Sequence, residues 1–129
     1  MGQVHEQHRA RRVMIVDDED ASRDALGVQL RAEGYEVFAA HRGQEAVALA
    51  AKTHPDATVL ELGDDGMATL QALRRRGEGG TVVVLTAHGT IPSARSALML
   101  GADGYMTRPF NLALLKSALT QGRSDHARH

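Results

Sequence analysis

An α/β fold is the expectation for this sequence: one five-stranded parallel sheet, doubly wound, with a helix after each strand, (βα)5. Three observations support it. Short apolar runs rich in β-branched residues recur along the chain. Between them lie segments whose leucines, valines and alanines fall three and four apart. Glycine or proline stands at several of the joins. Strict alternation of strand and helix calls for a parallel sheet covered on both faces, and right-handed crossovers make it doubly wound.

The elements follow in order. "MGQVHEQHRARR" has no periodicity, and residues 1–11 are expected to be a disordered lead-in. Val13, Met14, Ile15 and Val16 form an unbroken apolar run, as in a strand buried on both sides. Leu26 and Leu30 are four apart and Gly34 stands at a helix C-cap position, so a helix is expected over 21–33. A second strand spans 35–40. A second helix spans 44–52, with Ala46, Val47 and Ala50 on one face, and ends before His54-Pro55. Residues 57–60 make the third strand. Residues 67–76 make the third helix through Leu70 and Leu73, and "GEGG" makes a loop. The run 81–85 is the most strand-like in the chain. Thr90 is placed to cap a fourth helix, which tolerates Pro92 in its first turn and ends near Gly101. A short strand lies around Tyr105 and Met106. Asn111 is placed to cap the last helix, with Leu115 and Leu119 on its buried side. Residues 122–129 read as a polar tail, leaving 12–121 as the single domain.

Composition narrows the functions. At 129 residues and 43% hydrophobic, the chain suits one compact domain with a real core. A net charge of −1 gives no dominant surface for nucleic acid or membrane, so neither is expected as a direct partner. The absence of cysteine removes disulfides, thiolate metal sites and thiol nucleophiles. No apolar stretch is long enough to span a bilayer and the start lacks a signal-peptide core, so a cytoplasmic location is expected. His5 and His8 have no further ligands beside them and do not suggest a metal site. The run Arg74, Arg75 and Arg76 reads as a solvated helix end favoured by the helix dipole.

In doubly wound sheets the site lies beyond the carboxyl ends of the strands, where strand order reverses. Asp17 and Asp18 follow the first strand and Glu61 follows the third. If those strands are neighbours, three acids converge, and hard oxygen ligands of this kind suit Mg2+. Glu19 and Asp20 are instead first-turn acids of the following helix. Thr86 follows the fourth strand and Arg108 the fifth. A hydroxyl and a cation around an acidic centre suit the holding of a phosphoryl group.

With these residues in view, the sequence resembles the receiver domain of two-component response regulators. "VMIVDDED" is similar to the family's opening strand with its acidic pair, and "PDATVLEL" to its phosphoacceptor strand. "VVVLTAHGTIPSARSALMLGADGYMTRPF" is similar to its second half. The resemblance covers 12–121 and implies a flavodoxin-like receiver fold in a phosphorelay, regulatory rather than enzymatic. It implies a sensor histidine kinase or other signalling protein as partner, and Mg2+ as a possible cofactor. Asp17 and Asp18 match the metal pair, Glu61 the phosphoacceptor position, and Gly63 the place of a metal-ligating backbone carbonyl. Thr86 matches the switch hydroxyl and Tyr105 the switch aromatic, for which a half-buried core ring is an equal alternative. His88 sits where the family varies a residue gating access, although an exposed loop histidine is the simpler reading. The family's signalling face corresponds to residues 91–121, through which a homodimer is possible.

Two departures carry weight. Glu61 stands where the family has its acceptor aspartate, and Arg108 where it has lysine. The loop "GDDGMAT" differs as well, with less consequence. Glu61 is lengthened by one methylene, and misplacement of about 1 Å can lower a rate roughly a hundredfold. The planar fork of Arg108 suits a direct ion pair with Glu61. The expected function is therefore an atypical, phosphate-independent receiver acting through protein contacts, in which the pair either blocks or imitates phosphorylation. The alternative is a Mg2+-dependent phosphoacceptor receiver. Phosphate acceptance by Asp64 or Asp65 is disfavoured, because loop acids lack rigid placement. A flavodoxin-like domain for another anionic ligand is disfavoured by the lack of a glycine-rich phosphate loop after the first strand.

Overall fold

The computed structural model describes residues 11–127 and shows the expected alternation. The strands are β1 (Arg12–Val16), β2 (Glu36–Ala40), β3 (Ala57–Glu61), β4 (Thr81–Thr86) and β5 (Gly104–Thr107). The helices are α1 (Asp20–Ala32), α2 (Gly43–Thr53), α3 (Gly66–Arg75), α4 (Ile91–Met99) and α5 (Leu112–Ala127). All strand pairs are parallel, in the order β2-β1-β3-β4-β5. The continuous apolar runs belong to the central strands β1, β3 and β4, whereas the edge strands β2 and β5 are only partly covered. A strand buried on both faces favours apolar residues throughout, with Thr58 accommodated by its hydrogen bond to the Gly79 carbonyl, and an edge strand does not require them.

The pleat sorts the core into two layers. Met14, Val16, Leu60, Val82 and Val84 pack with Ala46, Ala50, Leu70, Leu73 and Ala97 of α2, α3 and α4. Val13, Ile15, Val59, Val83 and Leu85 pack with Leu26, Leu30, Leu115 and Leu119 of α1 and α5. Each fully buried aliphatic side chain contributes roughly 1.5–3 kcal/mol, so these layers rather than surface ion pairs carry the fold.

Local signals end the helices where expected. Gly34 takes φ +97 just past α1. His54 closes α2 in the left-handed region and donates its N–H to the Ala50 carbonyl. Thr90 and Ser93 form a capping box at α4, with Pro92 in its first turn. Asn111 Oδ1 accepts the Leu114 N–H at 3.1 Å.

Helix α5 continues to Ala127, into the residues read as a polar tail. Its sequence holds no proline, and the single Gly122 costs an interior helix only about 1 kcal/mol. Arg74 is not a solvated helix end. Its guanidinium donates to the carbonyls of Gly101, Glu78 and Gly80 and to the Asp103 carboxylate, at 2.8–3.1 Å. Asp103 also accepts the Val82 N–H, so this pair ties the C-terminal end of α3 to the starts of β4 and β5. The lead-in through residue 10, with His5 and His8, and the last two residues of the tail lie outside the described residues.

Candidate functional site

Strand order reverses between β1's two neighbours, β2 and β3. The crevice therefore opens at the tips of β1 and β3, where Asp17 and Glu61 stand. Asp17 is buried, and four hydrogen bonds fix it. Its N–H donates to the Ala40 carbonyl at 3.1 Å. Its own carbonyl accepts from Arg23 Nη1 at 2.8 Å, and its Oδ1 accepts the Glu19 N–H at 3.0 Å. Its Oδ2 accepts from Arg108 Nη2 at 3.4 Å. Asp18, one residue on, is exposed.

Glu61 ends β3 as a partly buried residue. Its Oε1 accepts two N–H groups of Arg108, Nη2 at 2.9 Å and Nε at 3.2 Å. The expected ion pair is thus present, with both donors converging on one carboxylate oxygen. Arg108 reaches it from the loop after β5, where its own N–H donates to the Thr86 carbonyl at 2.9 Å. Burial pushes the Glu61 carboxyl above its usual range, and the charges of Asp17 and Asp18 add to this. The Arg108 hydrogen bonds and charge pull the other way without cancelling it.

The other expected residues sit at the same edge but outside this charge cluster. Thr86 is buried at the end of β4, and its Oγ1 accepts the His88 N–H at 3.2 Å. Tyr105 is half-buried on β5 and directs its hydroxyl to the start of α4, with Ser93 Oγ at 2.5 Å and the Thr90 N–H at 3.4 Å. Gly63 and Asp64 lie exposed in the turn after Glu61. Asp65 stands at the N-cap position of α3 without a side-chain capping bond, and its Oδ2 accepts the Gly43 N–H of α2 at 3.4 Å. His88 is exposed. Asp20 takes the first-turn position expected of it, whereas Glu19 stands one place earlier, at the N-cap of α1.

Arg23 was not among the expected residues. It is a buried cation beneath the acidic turn, holding the Asp17 carbonyl and pairing with Asp20 at 2.7 Å. The Arg23 hydrogen bond holds the Asp20 carboxyl below its usual range. The signal for it was the i,i+3 spacing from Asp20 on α1.

Carboxylate and carbonyl oxygens are chemically suited to Mg2+. Their arrangement here does not fit one. The acid oxygens that face each other across the crevice accept N–H groups from Arg108, and Asp17 Oδ1 is taken by the Glu19 N–H. Among the described residues no three acidic or histidine side chains gather as a ligand set.

The site is thus a doubly wound sheet edge with acids at two adjacent strand tips, a hydroxyl at the end of the fourth strand and a cation after the fifth. The chain belongs to the response regulator receiver domain family, whose model matches residues 13–120. It is 37% identical over 126 residues to the transcriptional regulatory protein TrcR of Mycobacterium tuberculosis. That match covers 92% of this chain and 49% of the relative, so the chain spans about half the length of that protein. Among solved structures it is similar to the chemotaxis protein CheY4 of Vibrio cholerae, with a TM-score of 0.81 and 26% identity over 88% of this chain and 99% of that one. It is also similar to a Burkholderia pseudomallei response regulator that carries a phosphorylated aspartic acid, a calcium ion and citrate. There the TM-score is 0.81 and the identity 26%, over 92% of this chain and 71% of the other. The chain is thus a receiver domain of two-component signalling, a regulatory module. No helix among the described residues is long and apolar enough to cross a membrane.

Proposed function

We propose that this receiver signals without taking up a phosphoryl group, and that its output is a protein contact made by a conformation Glu61 and Arg108 hold shut. The observation that carries this is the state of Glu61 Oε1, which accepts two N–H groups from one guanidinium. Phosphoryl transfer to a carboxylate requires a free oxygen placed in line with phosphorus. Here Glu61 Oε1 is engaged twice over by the guanidinium of Arg108. The Burkholderia relative is phosphorylated on aspartic acid, whereas the acceptor position of this chain holds a glutamate.

Two further observations fit a fixed state. The Thr86 hydroxyl faces the β4–α4 turn, and the Tyr105 hydroxyl is bound into the first turn of α4. The contact surface in this reading is the 91–121 face. Ile91, Leu98 and Met99 on α4 and Leu114 on α5 are large apolar side chains that stand exposed there. A signalling protein or a second copy of the chain would cover them, since exposed apolar side chains clustered on one face favour partner contact.

The test is incubation with Mg2+ and acetyl phosphate, read by intact mass, with Glu61→Asp as comparator. Wild type is expected to keep its mass while the variant gains one phosphoryl group. A stable gain on wild-type Glu61 would overturn the proposal in favour of a Mg2+-dependent phosphoacceptor.

A further inference from the structure

We infer that Arg108 is the resident cation of the acidic crevice, doing for the tips of β1 and β3 what a divalent metal ion would otherwise do, so that the wild-type site excludes Mg2+. The inference deepens the phosphate-independent reading, but it rests on a separate contact, the reach of Arg108 to Asp17.

The starting point is charge. Asp17 and Glu61 project from neighbouring strands, and their side chains are only 6% and 19% exposed. Two carboxylates so placed repel one another, and a cation between them offsets that repulsion. Arg23 is close, but its contacts go to the Asp17 main-chain carbonyl and to the Asp20 carboxylate. The cation on the Asp17 carboxylate is Arg108, whose Nη2 lies 3.4 Å from Asp17 Oδ2 and 2.9 Å from Glu61 Oε1. One nitrogen therefore bridges acids of β1 and β3, while Nε of the same group reinforces the Glu61 side at 3.2 Å.

Geometry then sets metal against arginine. Mg2+ needs oxygen atoms at about 2.0–2.1 Å in a near-octahedral shell. The guanidinium nitrogen stands between the oxygens that such an ion would draw together. The guanidinium is held by its own contacts to Glu61 and Asp17, while a main-chain bond to the Thr86 carbonyl fixes the Arg108 backbone from which it reaches. The extra methylene of Glu61 carries its carboxylate into the centre to meet the fork. A lysine ammonium is a point charge on a flexible stem and lacks the rigid second donor with which Nε fixes the guanidinium on Glu61.

The test is a Mg2+ titration of the full chain followed by amide NMR shifts, with thermal melting in parallel. For wild type, the amides of Asp17, Asp18, Glu61 and Gly63 are expected to stay in place through millimolar Mg2+, and the melting temperature to be insensitive to it. Arg108→Met is expected to bind Mg2+ saturably, at least about tenfold more tightly than wild type, with a melting temperature that rises as Mg2+ is added. If that variant does not fold, Arg108→Lys carries the test, because it keeps the charge but loses the second donor that fixes the cation on Glu61, and is expected to gain metal affinity as well. Saturable strand-tip shifts in wild type would overturn the inference, as would a folded variant that binds Mg2+ no better. Mass and metal binding are read separately. Wild type that binds Mg2+ but is not phosphorylated overturns this inference alone, and wild type that is phosphorylated overturns the phosphate-independent reading.

Discussion

Replacement of Arg74 by methionine is expected to remove about 3 kcal/mol of folding stability, although the residue lies far in sequence from the acidic centre. Arg74 pairs with Asp103 at 2.9 Å, and their side chains are 17% and 3% exposed. Removing one partner of a buried pair costs about 3–5 kcal/mol, mostly through the charge left behind. The lower end applies because water reaches part of Arg74. The carbonyls of Glu78, Gly80 and Gly101 lie in partly exposed residues and can turn to water, so they add little. Against a total stability of about 5–15 kcal/mol the loss is large. For a chain of 129 residues it corresponds to a fall in Tm of about 10 °C. Urea and thermal unfolding of Arg74→Met, Asp103→Asn and the double variant would measure it. The pair predicts that the double variant loses at least about 1.5 kcal/mol less than the two singles together. A single Arg74→Met loss within about 1 kcal/mol, or simple additivity, would show that the cluster is not coupled as the geometry requires.

Other outcomes follow from the same contacts. Tyr105→Phe removes the hydroxyl that meets Ser93 and the Thr90 N–H, and is expected to cost about 1 kcal/mol and to speed hydrogen exchange at the Thr90 amide while β4 stays protected. Gly80→Ala is expected to cost about 2–4 kcal/mol in urea unfolding, because φ is +63 and a Cβ would sit 2.1 Å from the Asp56 carbonyl oxygen. Gly34→Ala, where φ is +97 but nothing lies within 4 Å of the new atom, is expected to cost only about 1–2 kcal/mol in the same assay. Glu61 titrates above its ordinary value of 4.5 because burial disfavours its charge, so the folded chain holds that proton where the unfolded chain has lost it. Its contribution is full below 4.5 and is lost as pH rises through the folded midpoint. The stability of wild type relative to Glu61→Gln is therefore expected to fall as pH rises from about 4.5 and then level off, as urea melts across pH would show.

The parts of the fold legible in the sequence were those set by short-range pattern. The run Val13 to Val16 marked a strand buried on both sides because burial on two faces favours an unbroken apolar run. Thr90 and Asn111 marked helix starts because capping is a local hydrogen bond. Asp17, Glu61, Thr86 and Arg108 could be placed at one edge because the topology of an alternating sheet delivers strand ends there. What stayed hidden depends on pairs distant in sequence. Nothing local to Arg74 names Gly101 or Asp103 as its partners, so a helix-end arginine looked solvated. Arg23 looked like an ordinary α1 residue until the turn of Asp17 was seen to fold over it. The orientation of Tyr105 is set by Ser93, twelve residues away on another element.

Glu61 and Arg108 are better understood as one change than as two. Shortening Glu61 to aspartate withdraws its carboxylate by roughly 1.5 Å, one carbon–carbon bond. Its contacts with Arg108, now 2.9 and 3.2 Å, would then stretch past hydrogen-bonding range unless the guanidinium followed. The guanidinium is restrained on its other side by Asp17 and by the main-chain bond of Arg108 to Thr86. Glu61→Asp alone should thus free a carboxylate but leave a fixed cation beside it, giving slow phosphorylation from acetyl phosphate. Arg108→Lys alone should loosen the bridge while leaving the longer acid in place, giving none. The double variant restores a short acid and a mobile point charge together. Its phosphorylation rate should exceed that of Glu61→Asp by about tenfold or more, a non-additive gain expected of residues in direct contact. Equal rates in Glu61→Asp and the double variant would mean that Arg108 plays no part in the block, and that glutamate length alone accounts for it.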